Sequence, residues 1–158
     1  MQKISPRTIL GLMAVFCFGL LATVWFLQYG PDKQQPCPLC VLQRYAMILI
    51  GITALIGAIH PRIGYALGTA LFAVGGLAMA IWQVLKGAEM LSCKTDPIGI
   101  FVNGLPTANW WPEYFFATGG CADKYSVLGL PVPVWSLICF FLLMVVTLVA
   151  IIKMRRPH

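Results

Sequence analysis

Charged residues are scarce in this sequence: they make up 10% of the chain, against 59% hydrophobic residues. Soluble domains carry charge on about a quarter of their residues, so this composition excludes an ordinary soluble protein. The formal net charge of +6 does not indicate a nucleic-acid-binding protein, because no basic cluster lies beside an exposed aromatic platform. A membrane protein with basic inner loops accounts for both the low charge content and its sign.

Charge is almost entirely missing from four long apolar runs. They are predicted membrane spans at about 9–29, 41–59, 63–85 and 134–152, and Arg44 is the one charged residue within them. Each run approaches or exceeds the roughly 20 residues that cross a bilayer core. Because backbone polar groups in lipid must be satisfied within the segment, we predict an all-α, four-transmembrane-helix bundle as a single domain over 1–158. The first run is too long for a signal peptide and lacks a small-residue cleavage site, so we interpret it as a retained helix.

Acidic residues are missing from one set of connections. The two ends of the chain and the link between the second and third spans hold six basic residues and no acid: Lys3, Arg7, Arg62, Lys153, Arg155 and Arg156. The other connections and the start of the second span hold all five acids and the remaining five basic residues. The positive-inside rule therefore places both termini in the cytoplasm and leaves two outer loops, at about 30–40 and 86–133.

The longer outer loop contains a dense aromatic cluster: Trp110, Trp111, Tyr114, Phe115 and Phe116. Aromatic side chains at this density are unfavourable in water. Two interpretations remain open, a segment that lies in the membrane interface and a loop that packs on the helix bundle.

The six cysteines divide into two groups. Cys17 and Cys139 lie within apolar spans, where a thiol behaves as a small, inert hydrophobic group. The other four lie in the outer loops: Cys37, Cys40, Cys93 and Cys121. This distribution is typical of proteins whose loops face an oxidising compartment.

The spacing of the outer cysteines bears on two alternatives to redox chemistry. A zinc site is disfavoured, and no metal is predicted, because the 27 residues between Cys93 and Cys121 do not form a second C-x-x-C knuckle. Two passive structural disulfides are the other alternative. The C-x-x-C spacing of Cys37 and Cys40 is short for that purpose and more often marks a redox-active pair.

Cys40 immediately precedes the second predicted span. At a helix N-terminus the macrodipole and unsatisfied N–H groups favour a thiolate. Arg44 follows four residues later, on the same helix face and about 6 Å deeper. Its guanidinium either snorkels to the interface or stabilises the thiolate and an anionic ligand at the bilayer edge, where an apolar acceptor such as a quinone could arrive.

These features resemble the disulfide bond formation protein B (DsbB) family of the bacterial inner membrane. The resemblance covers nearly the whole chain. It rests on the four spans with both ends inside, on C-P-L-C followed four residues later by Arg44, and on the loop pair Cys93 and Cys121. The segment GGCADKYSVLGLPVPVW, which starts at Gly119, is also similar to the family's segment leading into the fourth helix.

The resemblance implies a thiol:quinone oxidoreductase with its redox loops in the periplasm. We expect the protein to be monomeric. A reduced DsbA-like thioredoxin-fold donor would form a mixed disulfide with Cys93, and Cys121 would exchange with Cys37. Cys40 would then be freed as the thiolate that contacts ubiquinone or menaquinone, with Arg44 beside the ring. The donor family is strongly oxidising, so only a more oxidising acceptor such as a respiratory quinone can recharge it.

The sequence departs from the family pattern at one position. Some members carry a histidine in the helix extension that leads to the first cysteine of the longer loop. Here the two histidines, His60 and His158, lie on the predicted inner side, and the corresponding segment offers Gln83, Lys86 and Glu89 instead.

Two other functions are compatible with part of this pattern. A vitamin K epoxide reductase-like oxidoreductase also pairs a C-x-x-C with a quinone in a four-helix bundle, but in that family the loop pair comes first in the chain. A non-catalytic tetraspan scaffold with structural disulfides would not turn over quinone.

Overall fold

The computed structural model describes residues 5–29, 36–86, 97–119 and 126–155. The elements in chain order are α1 (Pro6–Tyr29), α2 (Pro38–Ile59), α3 (Ile63–Lys86), α4 (Pro97–Asn103), α5 (Pro106–Trp110), α6 (Pro112–Phe115), β1 (Ser126–Val127), β2 (Leu130–Pro131) and α7 (Val132–Arg155). The helices α1, α2, α3 and α7 are each long and apolar enough to cross a membrane. The predicted all-α fold with four membrane helices is therefore confirmed, with the addition of one very short hairpin.

Three of the long helices begin before the apolar runs that predicted them. The clearest case is α2, which begins at Pro38. Proline suits the first helical position, because its fixed φ matches the helix and its missing N–H has no partner there. At the start of α1, the Ser5 hydroxyl accepts the Thr8 backbone N–H at 3.2 Å, which caps that helix.

The four long helices pack side by side in chain order, α1 on α2, α2 on α3 and α3 on α7, and α7 also contacts α1. The face that α3 buries in the bundle consists mainly of small residues: Ala66, Thr69, Ala73, Gly76 and Ala80. Such residues let membrane helices approach closely. At Gly76 a Cβ atom would overlap the Phe140 ring of α7, so the glycine is required for this contact.

The hairpin β1–β2 was not predicted. Its two central residues, Leu128 and Gly129, both have positive φ, at 54° and 82°. Such values belong to the tight turns whose twist matches that of the paired strands. The Trp135 indole N–H donates to the Val127 carbonyl at 2.9 Å, which holds the hairpin against the start of α7. Strands of two residues leave no periodic signal in a sequence.

In the aromatic cluster of the longer loop, some rings pack on the helix bundle and others are exposed. Tyr114 and Phe115 are buried, and Phe115 stacks on Tyr45 of α2 with 5.0 Å between ring centroids. Trp110, by contrast, is 91% exposed, and Trp111 and Phe116 are also exposed. Part of the cluster thus fastens the loop to α2, and the remaining rings are free to lie in a membrane interface.

Candidate active site

A disulfide between Cys37 and Cys40 lies at the N-terminal end of α2, with 5.0 Å between the two Cα atoms. Cys37 is the N-cap residue, and its sulfur accepts the backbone N–H of Cys40 at 3.1 Å. The predicted position of Cys40 at a helix N-terminus is confirmed: the helix begins at Pro38, three residues before the predicted span, and Cys40 lies in its first turn. One of the unsatisfied N–H groups at the helix end is therefore directed at the disulfide itself.

A glutamine from α3 approaches the same disulfide. The Gln83 side-chain N–H group donates to the sulfurs of Cys37 and Cys40, each at 3.3 Å. The Gln83 carbonyl oxygen accepts a hydrogen bond from the Gln43 amide of α2 at 2.8 Å. Both glutamines are buried. The two amides therefore form a short chain of donors that crosses from α2 to α3 and ends on the cysteine pair.

Arg44 is held inside the protein. Its side chain is 8% exposed, and one guanidinium nitrogen donates to the Gln28 side-chain oxygen at 3.0 Å and to the Tyr114 backbone carbonyl. The guanidinium carbon also lies 4.4 Å from the centre of the Tyr114 ring, a cation–π contact. Snorkelling to water does not describe this side chain, because its partners are protein groups on α1 and α6.

Hydrogen bonds hold the helix α6 against the C-terminal part of α1. Gln28 donates its amide to the Glu113 backbone carbonyl, and the Tyr29 hydroxyl donates to the Glu113 carboxylate. The Tyr114 hydroxyl donates to the Leu21 carbonyl at 3.0 Å. Burial raises the pKa of Tyr114, although the neighbouring Arg44 acts in the opposite direction, so the phenol stays protonated and keeps this donor.

Backbone hydrogen bonds join the longer loop to the residue that precedes Cys37. The backbone N–H groups of Thr118 and Gly119 both donate to the carbonyl of Pro36, at 3.2 and 3.1 Å. Pro36 directly precedes Cys37, and Gly119 lies two residues before Cys121. The loop that carries Cys121 is thus bonded to the backbone next to the disulfide.

A cavity of about 260 Å³ lies between the ends of α1, α2, α3 and α7 that meet at this disulfide. Its apolar wall consists of Leu20, Leu21, Val24, Leu27, Pro36, Met47, Val127, Val132, Pro133, Trp135 and Phe140. Its polar groups are few: Thr23, Gln28, Gln43, Arg44, Gln83 and Ser136, with Cys37, Cys40 and Cys139. An apolar cavity with a few convergent polar groups is the usual form of a site for a largely apolar ligand.

The structure brings together three of the predicted site residues, since Cys37, Cys40 and Arg44 line one cavity. Cys93 and Cys121 lie outside the described residues, so their roles stay predictions. Of the two remaining cysteines, Cys17 is a buried free thiol as expected, whereas Cys139 is half-buried and faces the cavity.

Sequence reasoning missed Gln28 and Gln43, and it noted Gln83 only as a replacement for a histidine. A signal was available, because each is a long polar side chain inside an apolar run, where an unpaired amide is costly. What the sequence lacked was the rotation of the helices, which decides that all three side chains point to one cavity.

Comparison with known proteins gives a consistent result. The family model described as "Disulfide bond formation protein DsbB" matches residues 6–150. A protein named Disulfide bond formation protein B from Ralstonia nicotianae is 40% identical over 160 residues, covering 98% of this chain and 99% of the relative. The protein of that name from Cupriavidus necator is 41% identical with 98% of each chain covered, and that from Nitrosomonas europaea is 41% identical with 85% and 86% covered. The family match covers α1, α2, α3 and most of α7, and it includes every residue that lines the cavity.

Proposed function

The chain belongs to the disulfide bond formation protein B family, and on that premise we propose that it oxidises a DsbA-like thioredoxin-fold protein and passes the electrons to a membrane quinone. The observation that carries the proposal is the position of the Cys37–Cys40 disulfide in the wall of a largely apolar cavity. The same cavity presents the guanidinium of Arg44 and the amide of Gln83.

The proposed thiol chemistry consists of disulfide exchanges, each of which forms one S–S bond and breaks one. A donor thiolate attacks Cys93 of a Cys93–Cys121 disulfide, and Cys121 leaves as a thiolate. Cys121 then attacks Cys37, which forms a Cys121–Cys37 bond and releases Cys40 as a thiolate. The second donor thiol displaces Cys93, which then displaces Cys37 from Cys121, so the donor is oxidised and the Cys37–Cys40 pair is reduced.

The exchange between the loops is supported by the hydrogen bonds to Pro36. Thr118 and Gly119 are bonded to the carbonyl that precedes Cys37. Cys121 follows Gly119 by two residues in the sequence, so the described part of the loop that contacts Pro36 is close in the chain to the cysteine that the exchange requires.

The cavity residues fit a quinone. The wall is apolar, as a prenylated ring requires, and Arg44, Gln28 and Gln43 also line it. Each of these side chains has N–H groups beyond those in the hydrogen bonds described above, and these would hold polar ring oxygens. A bound quinone would supply a two-electron, two-proton acceptor beside the cysteine pair. The Cys40 thiolate that faces it is stabilised by the amide of Gln83 and by the position of Cys40 in the first turn of α2. Both ubiquinone and menaquinone satisfy this description.

The proposal is tested with the purified full chain in detergent, a reduced DsbA-type donor and either quinone, with quinone absorbance as the readout. We expect catalytic loss of quinone by the wild type and none by Cys40→Ser or Cys93→Ser, because each variant removes a sulfur that the relay requires. Cys17→Ala is the matched control, since Cys17 is a cysteine outside the cavity, and it should retain turnover. Absence of turnover by a folded wild type with both quinones would contradict the proposal and favour the scaffold.

The same assay tests the proposed inner-membrane orientation, with termini in the cytoplasm and redox loops in the periplasm. A protein donor added outside the cell membrane cannot cross it. We therefore expect spheroplasts to oxidise the added donor and inverted vesicles to leave it reduced. The opposite pattern would reverse the orientation without affecting the chemistry.

A further inference from the structure

Gln83 is the buried side chain that contacts both sulfurs of the Cys37–Cys40 pair. It comes from α3, whereas both cysteines belong to the start of α2, and it is 4% exposed. Its amide nitrogen lies 3.3 Å from each of the two sulfurs, so the side-chain NH2 group faces the S–S bond. This contact is with the atoms that react.

The orientation of the Gln83 amide is fixed by its neighbour. The Gln43 amide N–H donates to the Gln83 oxygen at 2.8 Å, which leaves the Gln83 nitrogen to face the sulfurs. A rotated Gln83 amide would set two N–H groups against each other and direct an oxygen at the sulfurs. Gln43 is 5% exposed, so water cannot readily replace the bond it makes.

We propose that Gln83 is a catalytic residue that makes the Cys37–Cys40 pair a stronger oxidant, and that Gln43 is the positioning residue that directs its amide. The inference rests on the proposed function, in which this pair is reduced and reoxidised in every cycle. A disulfide sulfur is a weak hydrogen-bond acceptor, whereas a thiolate is a charged one, and charge-assisted hydrogen bonds are about twice as strong. The amide therefore stabilises the reduced pair more than the oxidised pair.

The electron balance makes the consequence measurable. Reduction of the disulfide takes two electrons and one proton when one sulfur remains a thiolate. Two reductant thiols supply them as they form a disulfide, and their second proton goes to the solvent. Among the described residues that line the cavity, Arg44 is the one charged group, and it is engaged by Gln28 and the Tyr114 carbonyl. Cys139 is a free thiol that also lines the cavity. Gln83 adds a neutral donor from the opposite helix.

The test measures the reduction equilibrium of the pair without quinone or partner. The full chain carrying Cys93→Ser and Cys121→Ser is equilibrated with reduced and oxidised glutathione, and thiols are trapped by alkylation and counted by peptide mass. We expect Gln83→Leu to lower the equilibrium constant for reduction by about tenfold, equivalent to about 30 mV for two electrons. Gln83→Glu, which keeps the shape, should lower it at least as much at a pH where the introduced carboxyl is ionised, because a carboxylate donates no hydrogen bond and repels a thiolate.

Gln43→Leu should give a smaller decrease and add nothing to Gln83→Leu, because it acts only through Gln83. Thr69→Val is the matched control, since it removes a different buried hydrogen bond between the same helices, from Thr69 to Thr53 at 3.0 Å. It should leave the redox equilibrium unchanged.

An unchanged equilibrium in folded Gln83→Leu and Gln83→Glu would overturn the inference, as would an equal shift in Thr69→Val. Because no quinone is present, the result is separable from the proposed function. Quinone turnover by the wild type without a redox shift in the variants would contradict the role of Gln83 alone. A shift without turnover would contradict the quinone relay and leave the Gln83 contact as a property of the disulfide.

Discussion

The two parts of the helix bundle satisfy their polar groups in different ways. Away from the cavity, each buried threonine hydroxyl has a carbonyl of its own helix as a partner: Thr69 donates to the Tyr65 carbonyl at 2.8 Å, and Thr147 donates to the Leu143 carbonyl at 2.7 Å. Each hydroxyl has one further contact with a neighbouring helix, Thr69 with the Thr53 hydroxyl at 3.0 Å and Thr147 with the Met13 sulfur at 3.7 Å. At the cavity, long polar side chains bond to other elements. Arg44 reaches α1 and α6, and Gln43 reaches α3.

This difference separates the role of stability from the role of chemistry. A threonine that has a carbonyl of its own helix as a partner stays satisfied without its neighbour, so the body of the bundle is specified mainly by close packing. The cavity polar groups are satisfied only when α1, α2, α3 and α6 are all in place. Every buried side-chain nitrogen and oxygen in the described part of the chain has a partner. The site is therefore assembled by the same bonds that position its functional groups.

The largest effect is expected at Arg44. Arg44→Gln should raise the quinone concentration needed for half-maximal turnover about tenfold or more, since a hydrogen bond to a charged group contributes about 1.5–3 kcal/mol. It should also loosen α6, because the Tyr114 carbonyl loses its partner. Steady-state kinetics at varied quinone measure the first effect, and protease accessibility of the longer loop measures the second. Unchanged kinetics with a loosened loop would make Arg44 purely structural.

A smaller effect is expected where the body of the bundle meets the cavity. Gly76→Ala should lower the free energy of unfolding by about 1–3 kcal/mol, because the new methyl group overlaps the buried Phe140 ring. Thermal unfolding in detergent measures the change. Phe140→Leu should relieve it in the double variant, and additivity of the two substitutions would contradict the proposed contact.

The smallest effect is expected in the body itself. Thr69→Val should cost about 0.6 kcal/mol, the average for a hydrogen bond between membrane helices. Its hydroxyl contacts both Thr53 and the Tyr65 carbonyl, and neither lies at the cavity. Turnover per folded molecule should equal that of the wild type. Reduced turnover at full stability would show that the two parts of the bundle are not separable in this way.

The sequence predicted those features that depend on local composition. Four apolar runs of sufficient length indicated four helices, and the spacing from Cys40 to Arg44 placed both on one face of α2. The hydrogen bond from Gln43 to Gln83 could not be predicted, because it depends on how α2 and α3 are rotated against each other. The Tyr114 carbonyl could not be predicted as a partner of Arg44 either, since every residue type has a backbone carbonyl.

The beginning of α2 shows a different limit. Hydropathy places the span after Cys40, whereas the helix begins at Pro38, because proline fits the first helical position and Cys37 caps it. A difference of three residues changes which sulfur accepts the N–H group at the helix end. Helix boundaries therefore carry chemical information that an apolar run does not contain.

The central claim is that electrons taken from a donor dithiol leave through the Cys37–Cys40 pair into the cavity. The most direct measurement is a single-turnover experiment that counts donor disulfide and quinol formed by the purified full chain, in the wild type and in Cys40→Ser. The account predicts one quinol for each donor disulfide, because both are two-electron products, and no quinol in Cys40→Ser. Donor oxidation without quinol, or quinol formation in Cys40→Ser, would contradict it.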